Sequence, residues 1–181
     1  ARDRYLWLGL SKDVKKFIKS CTVCQKVKVN RHEHVQPGGF PAEKTRFKTV
    51  HVDLVGPLPE TEEGYKFILT CIDRATRYPV AIPLKSTETT TVWQQFQDHW
   101  IATFGVPALL ITDRGSQFTS TYWAEQCQVF GIKSNTTPAY HPEANGLVER
   151  WHRTLKYALA CDRYEDKDWA KRLPMILLGL R

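Results

Sequence analysis

Three acidic residues have the types and positions expected of cation ligands: Asp53, Asp113 and Glu149. Asp53 lies inside the alternating, β-branched segment 47–58, and Asp113 directly follows the apolar run 108–112. Aspartate is uncommon in strands, and burying its charge is costly unless a partner compensates for the lost water. A divalent cation is one such partner, because hard cations prefer oxygen ligands. A single acid of this kind is more often a turn or surface residue, so the hypothesis of a metal site depends on all three together.

The segments around these acids carry three motifs: HVDLVGPLP at 51–59, ITDRGSQFTS at 111–120 and PAYHPEANGLVERWHRTLK at 138–156. Thirty-five residues separate Asp113 from Glu149. In these motifs, and in Cys21-x-x-Cys24 and DRATRYPVAIPL at 73–84, the chain resembles the integrases of retroviruses and long-terminal-repeat retrotransposons, especially the Ty3/gypsy type. The resemblance covers nearly the whole chain.

The resemblance implies an α/β fold of the ribonuclease-H-like class, with a mixed five-stranded sheet flanked by helices and a small truncated helical segment at the N-terminus. It also implies two Mg²⁺ or Mn²⁺ ions, bridged by Asp53 and flanked by Asp113 and Glu149. Two such ions stabilise the attacking and leaving oxygens of an in-line displacement at phosphorus. The implied reaction trims DNA 3′ ends with water and then joins the exposed 3′ hydroxyl to target DNA, without a covalent enzyme intermediate.

Candidate DNA contacts are polar residues near the acids: Asn145, Arg153, Lys156, Gln117 and Tyr140. The first three share a face with Glu149 on a predicted helix, at offsets of −4, +4 and +7. The opposite, core-facing stripe is predicted to be Val148, Trp151, Leu155 and Leu159. By resemblance, the loops containing Gln117 and Tyr140 border the DNA. An ordinary ion pair between Glu149 and Arg153 is the alternative for the helix face, and His141 is more simply a hydrogen-bonding turn residue than a metal ligand.

Asp73 is the nearest rival carboxylate, since it also ends a predicted strand. It stands beside Arg74 and close to Arg77. An ion-paired turn residue is therefore the simpler interpretation of Asp73.

Cys21 and Cys24 have the spacing of zinc ligands. By resemblance they complete an HHCC site whose histidines lie upstream, yet no histidine precedes Cys21 in this sequence, and His32 and His34 follow the pair. We therefore expect Zn²⁺ in the full-length protein, and two free thiols are the alternative for this chain. Cys71, Cys127 and Cys161 lie in apolar patterns and are predicted to fill the core.

The charge of the chain is unevenly distributed. Net charge is +7, and residues 1–46 hold eleven Lys and Arg against four Asp and Glu, whereas the two signs balance in the rest. Such a segment suits phosphate contacts, although a merely soluble basic tail is the alternative. The five cysteines form an odd number without a signal peptide, and no apolar run is long enough for a membrane span, so we expect an intracellular protein with reduced thiols and no membrane partner.

Three regions are predicted: a truncated zinc-binding, HHCC-like helical segment at 1–29, a linker at 30–45 and the catalytic core at 46–181. Within the core, we expect strands at 47–57, 65–73, 77–84, 108–112 and 132–137. Helices are expected from a cap at Ser86 or Thr87 to about Phe104, at 120–130, from Pro142 to Cys161 and from Lys167 onward. The beginning at Ala1 and the end inside an apolar pattern suggest a piece of a longer polypeptide.

The function expected from these observations is metal-dependent 3′-end processing and strand transfer, which integrates retroelement DNA. The partners would be element ends, target DNA and further copies of the chain, and the place would be the nucleus at the time of integration. Two alternatives stay open: a host-adopted relative that binds DNA without catalysis, and a ribonuclease-H-like nuclease acting on RNA–DNA hybrids.

Overall fold

The structure is a computed structural model that describes residues 6–22, 25, 43–136, 142–161 and 168–181. Within helix 142–161, the side chains of residues 142–147, 149 and 161 are not described. Tyr140, His141 and Cys24, all named above, lie outside the described residues.

A mixed five-stranded sheet forms the centre of the fold, as predicted. Its strands are β1 (Thr49–Val55), β2 (Phe67–Asp73), β3 (Pro79–Leu84), β4 (Leu109–Thr112) and β5 (Lys133–Thr136). The spatial order is β3-β2-β1-β4-β5, in which β1, β2 and β3 are antiparallel neighbours and β4 and β5 run parallel to β1. Strand β1 is shorter than its sequence pattern, because Phe47 has a left-handed φ of 59° and Pro57 lacks the N–H that a ladder requires.

Helices flank this sheet. They are α1 (Leu10–Ser20), α2 (Thr89–Phe96, a π-helical turn Gln97–Ile101 and Ala102–Phe104), α3 (Ser116–Thr119), α4 (Thr121–Val129), α5 (Pro142–Cys161) and α6 (Trp169–Leu180). Helix α5 has the bounds expected from the sequence. Within the described part of the chain, no helix is both long enough and apolar enough to cross a membrane.

Two local predictions were wrong. Helix α2 begins at Thr89 with Glu88 at the N-cap position and no side-chain cap, whereas we had expected Ser86 or Thr87 to cap it. The Ser86 hydroxyl instead accepts the Glu88 amide N–H at 3.1 Å, which closes a turn before the helix. The short helix α3 was not expected, because four residues are too few for a periodic pattern.

The two faces of the sheet pack against different helices. Val50 and Val52 of β1 belong to the core shared with α2 and α4, in which Trp93, Trp100 and Trp123 are fully buried. Val55 packs on the other face against Leu155 of α5 and against Leu173 and Leu177 of α6. Because side chains alternate along a strand, Asp53 belongs to the face covered by α5.

Candidate active site

Asp53 and Asp113 lie on adjacent parallel strands. The ladder between β1 and β4 pairs Thr49 with Leu109, Val50 with Leu110 and His51 with Ile111. The same offset, continued two residues along both strands, brings Asp53 level with Asp113. Parallel strands end at the same edge of a sheet, so the backbones of Asp53 and Asp113 come to the same edge.

One oxygen of each carboxylate is fixed by a backbone amide. Oδ1 of Asp53 accepts the Leu54 N–H at 2.7 Å, and Oδ1 of Asp113 accepts the Gly115 N–H at 2.9 Å. The Asp53 side chain is 21% exposed, and Asp113 is half-buried. Each carboxylate therefore faces solvent in part and is oriented before any ligand arrives, since hydrogen bonds restrict its rotation.

His152 of α5 contacts the Asp53 carboxylate on the face of the sheet that α5 covers. Its Nδ1 lies 3.6 Å from Asp53 Oδ2, and its Nε2 lies 2.8 Å from the Thr70 hydroxyl oxygen on β2. The Thr70 hydroxyl is also 3.1 Å from the backbone carbonyl oxygen of Asp53. His152 is 12% exposed, so this contact is largely shielded from water.

Burial keeps two imidazoles near Asp53 neutral. Burial lowers the pKa of His152 to about 4, and the Lys156 ammonium contributes to the lowering. Burial likewise lowers the pKa of His51 to about 4, with additional contributions from Arg74 and Arg77. Both rings are therefore uncharged at neutral pH, because desolvation disfavours the cationic form.

Helix α5 carries Glu149, the third predicted acid, one turn before His152. Its side chain is not described, so the alternative of an ion pair with Arg153 stays untested, and the side chain of Asn145 is likewise not described. The core-facing stripe is confirmed: Val148 and Leu155 are buried, and Trp151 and Leu159 pack against the cluster beneath α5. Arg153 and Lys156 are exposed, as a face that contacts DNA requires.

Gln117 lies in α3, directly after Asp113. Together with Ser116 it lines an open cleft whose opposite wall is the beginning of α2, formed by Thr87, Glu88, Thr89 and Thr90. Gln117 is half-buried in this cleft, so the side chain borders the surface beside Asp113.

Asp73 is a buried turn residue, as the sequence predicts. It is fully buried, and Oδ1 accepts the Phe47 N–H at 2.9 Å. Oδ2 accepts the amide N–H and the hydroxyl of Thr76 at 2.8 and 2.6 Å. These bonds hold the β2–β3 turn, because a carboxylate at a turn readily accepts local amides. The negative charge of Asp73 also acts on the Arg77 guanidinium.

The cysteines divide into two groups. Cys71 and Cys127 are buried and fill the core as predicted, and Cys21 is half-buried at the end of α1. Cys24 and the side chain of Cys161 lie outside the described residues, so the geometry of the Cys21-x-x-Cys24 pair stays a prediction.

His152 and Thr70 were missed by reasoning from the sequence. The available signal was a histidine three residues after Glu149, between the apolar residues Trp151 and Leu155. A polar ring on the buried side of a helix needs a partner, but the sequence does not say which residue supplies it.

The donor set fits a hard divalent cation. Two aspartates with partly exposed carboxylates converge on one sheet edge, and carboxylate oxygens are the ligands that Mg²⁺ and Mn²⁺ prefer. Among the side chains that the structure describes, no cluster of three or more His, Cys, Asp or Glu has metal-binding geometry. The third acid, Glu149, is not among them.

Comparisons with known proteins give matches over most of the chain. Proteins with similar sequence include the Retrovirus-related Pol polyprotein from transposon 412 of Drosophila melanogaster, with 33% identity over 93% of this chain and 14% of the polyprotein. The Pro-Pol polyprotein of Feline foamy virus is 29% identical over 87% of the chain and 13% of its own length. The Transposon Tf2-3 polyprotein of Schizosaccharomyces pombe is 26% identical over 87% of the chain and 12% of its own length. The chain thus spans about one seventh or less of each polyprotein.

The fold resembles a solved assembly, the simian T-cell lymphotropic virus intasome in complex with PP2A regulatory subunit B56 gamma. The TM-score is 0.67 with 21% sequence identity, over 93% of this chain and 59% of the other. Residues 1–30 match the family described as integrase zinc binding domain. The family described as integrase core domain matches residues 44–142, which is more than half of the sequence and includes both aspartates, and the chain therefore belongs to this family.

Proposed function

We propose that the protein is a polynucleotidyl transferase that uses divalent metal to process the 3′ ends of retroelement DNA and to join them to target DNA. The observation that carries the proposal is the register of β1 and β4, which aligns Asp53 with Asp113 inside an integrase core domain. Membership of the family supports the class of reaction. The residue roles rest on the arrangement of the side chains.

Asp53, Asp113 and Glu149 would hold the ions, with Asp53 between the other two. When bound, Mg²⁺ or Mn²⁺ would stabilise the negative charge that develops on the phosphoryl oxygens during in-line displacement. The Leu54 and Gly115 amides each hold one oxygen of an aspartate, so less conformational entropy would be lost when the two carboxylates bind an ion. Exposed Arg153 and Lys156 would bind DNA phosphates, and Gln117, Asn145 and Tyr140 would border the strand beside the acids.

The partners proposed are the element's DNA ends, target DNA and further copies of the chain, with integration taking place in the nucleus. The likeness to a chain of a viral intasome supports DNA binding within a multimer. The zinc-binding family match over residues 1–30 supports Cys21 and Cys24 as two ligands of a Zn²⁺ ion in the full-length protein.

Cleavage and joining of labelled DNA test the proposal. A duplex that ends in the element's own terminal sequence would be incubated with Mg²⁺, with Mn²⁺ or with EDTA, and an RNA–DNA hybrid would be treated in parallel. Metal-dependent 3′ trimming and joining of the DNA duplex is the expected result. Cleavage confined to the hybrid would indicate a ribonuclease, and DNA binding without cleavage under every condition would indicate a non-catalytic relative.

A further inference from the structure

The contact between His152 and Asp53 links two parts of the proposed site. Asp53 lies on β1, whereas Glu149 lies on α5 one turn before His152. His152 itself sits on the buried side of α5, between the fully packed Val148 and Leu155. Its ring therefore projects from the helix toward the sheet, and its contact with Asp53 Oδ2 at 3.6 Å joins the two elements.

The contacts of the His152 ring with Thr70 and with the Asp53 carboxylate indicate which ring nitrogen carries the proton. The Thr70 hydroxyl has one proton and two neighbours, His152 Nε2 at 2.8 Å and the Asp53 carbonyl oxygen at 3.1 Å. If Nε2 carried the ring proton of the neutral imidazole, Nδ1 would present a lone pair to the Asp53 carboxylate, which is repulsive. When Thr70 donates to Nε2 instead, the ring proton is on Nδ1, which lies 3.6 Å from Asp53 Oδ2; this is longer than a hydrogen bond but electrostatically favourable. The first arrangement keeps both Thr70 contacts, since Nε2–H can donate to Thr70 while Thr70 donates to the Asp53 carbonyl oxygen. The second keeps only the 2.8 Å contact but avoids the repulsion at the carboxylate, and we take the repulsion as decisive.

Oδ1 of Asp53 is held by the Leu54 amide at 2.7 Å, so a donor opposite Oδ2 fixes the plane of the carboxylate. We propose, on the basis of the function proposed above, that His152 is a positioning residue whose Nδ1–H orients Asp53 for the metal and sets the distance of α5 from β1. By donating its hydroxyl proton to Nε2, Thr70 would favour the tautomer with the ring proton on Nδ1, the nitrogen that faces Asp53. Removal of a group that orients a metal ligand in this way typically weakens metal binding by about 10–100-fold.

The two functions of the ring can be separated by substitution. In His152→Asn the side-chain nitrogen occupies the place of Nδ1, and in His152→Gln it occupies the place of Nε2. His152→Leu fills the apolar pocket without a donor, and Thr70→Val removes the hydroxyl from a residue of nearly the same shape. His99→Leu serves as the matched control, because His99 is an exposed histidine on α2.

The affinity for Mn²⁺ without DNA would be measured by calorimetry, alongside the rate of DNA joining and the melting temperature in EDTA. We expect His152→Leu and His152→Gln to lose about 10–100-fold in Mn²⁺ affinity, with a parallel loss of joining rate. The Mn²⁺ affinity and joining rate of His152→Asn should stay within about threefold of those of the unaltered protein. Both quantities for Thr70→Val should lie between those of His152→Asn and His152→Leu, and His99→Leu should change neither. If His152→Asn retains its Mn²⁺ affinity while His152→Gln loses it, the nitrogen that faces Asp53 is what matters, and not only the volume of the side chain.

Three results would overturn the inference. If His152→Leu binds Mn²⁺ and joins DNA like the unaltered protein while Asp53→Asn loses both, His152 does not position Asp53, and the proposed function stands. If His152→Gln outperforms His152→Asn, the contact with Thr70 is what matters and the assigned tautomer is wrong. Absence of Mn²⁺ binding by the unaltered protein would overturn the proposed function together with this inference.

Discussion

At the scale of single residues, the register of β1 and β4 brings Asp53 and Asp113 to the same partly buried edge of the sheet. Two carboxylates at one edge repel one another when no cation lies between them. The Leu54 and Gly115 amides offset part of this cost through one oxygen of each. Under the proposed function, a shared cation would offset the remainder.

Asp113→Asn is expected to abolish strand joining without destabilising the fold. Under the proposed function the substitution removes a metal ligand worth several kcal/mol in the transition state, so the joining rate should fall by about a hundredfold or more. Without metal, the melting temperature should stay the same or rise, because the repulsion from Asp53 is relieved. Glu125→Gln on the exposed side of α4 is the control for loss of one negative charge. A fully active Asp113→Asn protein would remove Asp113 from the site.

Cys71 and Cys127 should resist alkylation in the folded protein. Burial raises the pKa of Cys127 to about 11 and raises the pKa of the Cys71 thiol further. Since the thiolate is the reactive form, a higher pKa means less thiolate at neutral pH, and access to the buried sulfur is also blocked. At pH 7.5 both thiols should react with N-ethylmaleimide at least about 100-fold more slowly than in urea, as measured by peptide mass spectrometry. Equal rates in the two conditions would show that the core around them opens readily.

At the scale of elements, the turn after β1 depends on a close backbone approach. Gly56 has φ of 145°, and a Cβ built on it would lie 2.6 Å from Phe67 Cδ1 and 2.9 Å from the Lys66 carbonyl oxygen. Glycine is required here both by its φ and by the space available. The turn therefore holds the start of β2 against the end of β1, the strand that carries Asp53.

Gly56→Ala should lower the free energy of unfolding by about 1–3 kcal/mol, through backbone strain and the clash with β2. Gly179→Ala is the matched control, because Gly179 lies in α6 with nothing within 4 Å of its added methyl group. That variant should gain up to about 1 kcal/mol, since alanine favours a helix over glycine. Urea titration measures both changes, and equal stability of the two variants would contradict the proposed crowding at Gly56.

At the scale of the whole molecule, the net positive charge lies in a different part of the sequence from the candidate acids. The basic excess lies in residues 1–46, and part of it is carried by four exposed lysines of α1, namely Lys12, Lys15, Lys16 and Lys19. The core contributes balanced charge. Attraction to the DNA backbone should therefore come mainly from the N-terminal segment, and the core acids should act on DNA that is already bound.

Replacing these four lysines with Gln should weaken DNA binding and flatten its dependence on salt. Each lysine–phosphate interaction that the substitutions remove should change the slope of log affinity against log salt by about 0.9. The matched control replaces Lys48, Lys85, Lys133 and Lys171 with Gln, which removes the same net charge from exposed positions of the core. Fluorescence anisotropy at several salt concentrations measures the slope. Equal effects of the two quadruple variants would show that net charge alone governs binding.

The sequence by itself determined the class of fold, the strands, the bounds of α5 and the three candidate acids. These features depend on local periodicity, on propensity and on motifs in which the informative residues are neighbours along the chain. The alignment of Asp53 with Asp113 and the contact of His152 with Thr70 were decided only by the tertiary structure. Thr70 and His152 are 82 residues apart, so no local pattern pairs them. Their partnership arises because β2, β1 and α5 pack together, and a buried polar ring must then bond to whatever group that packing brings within reach.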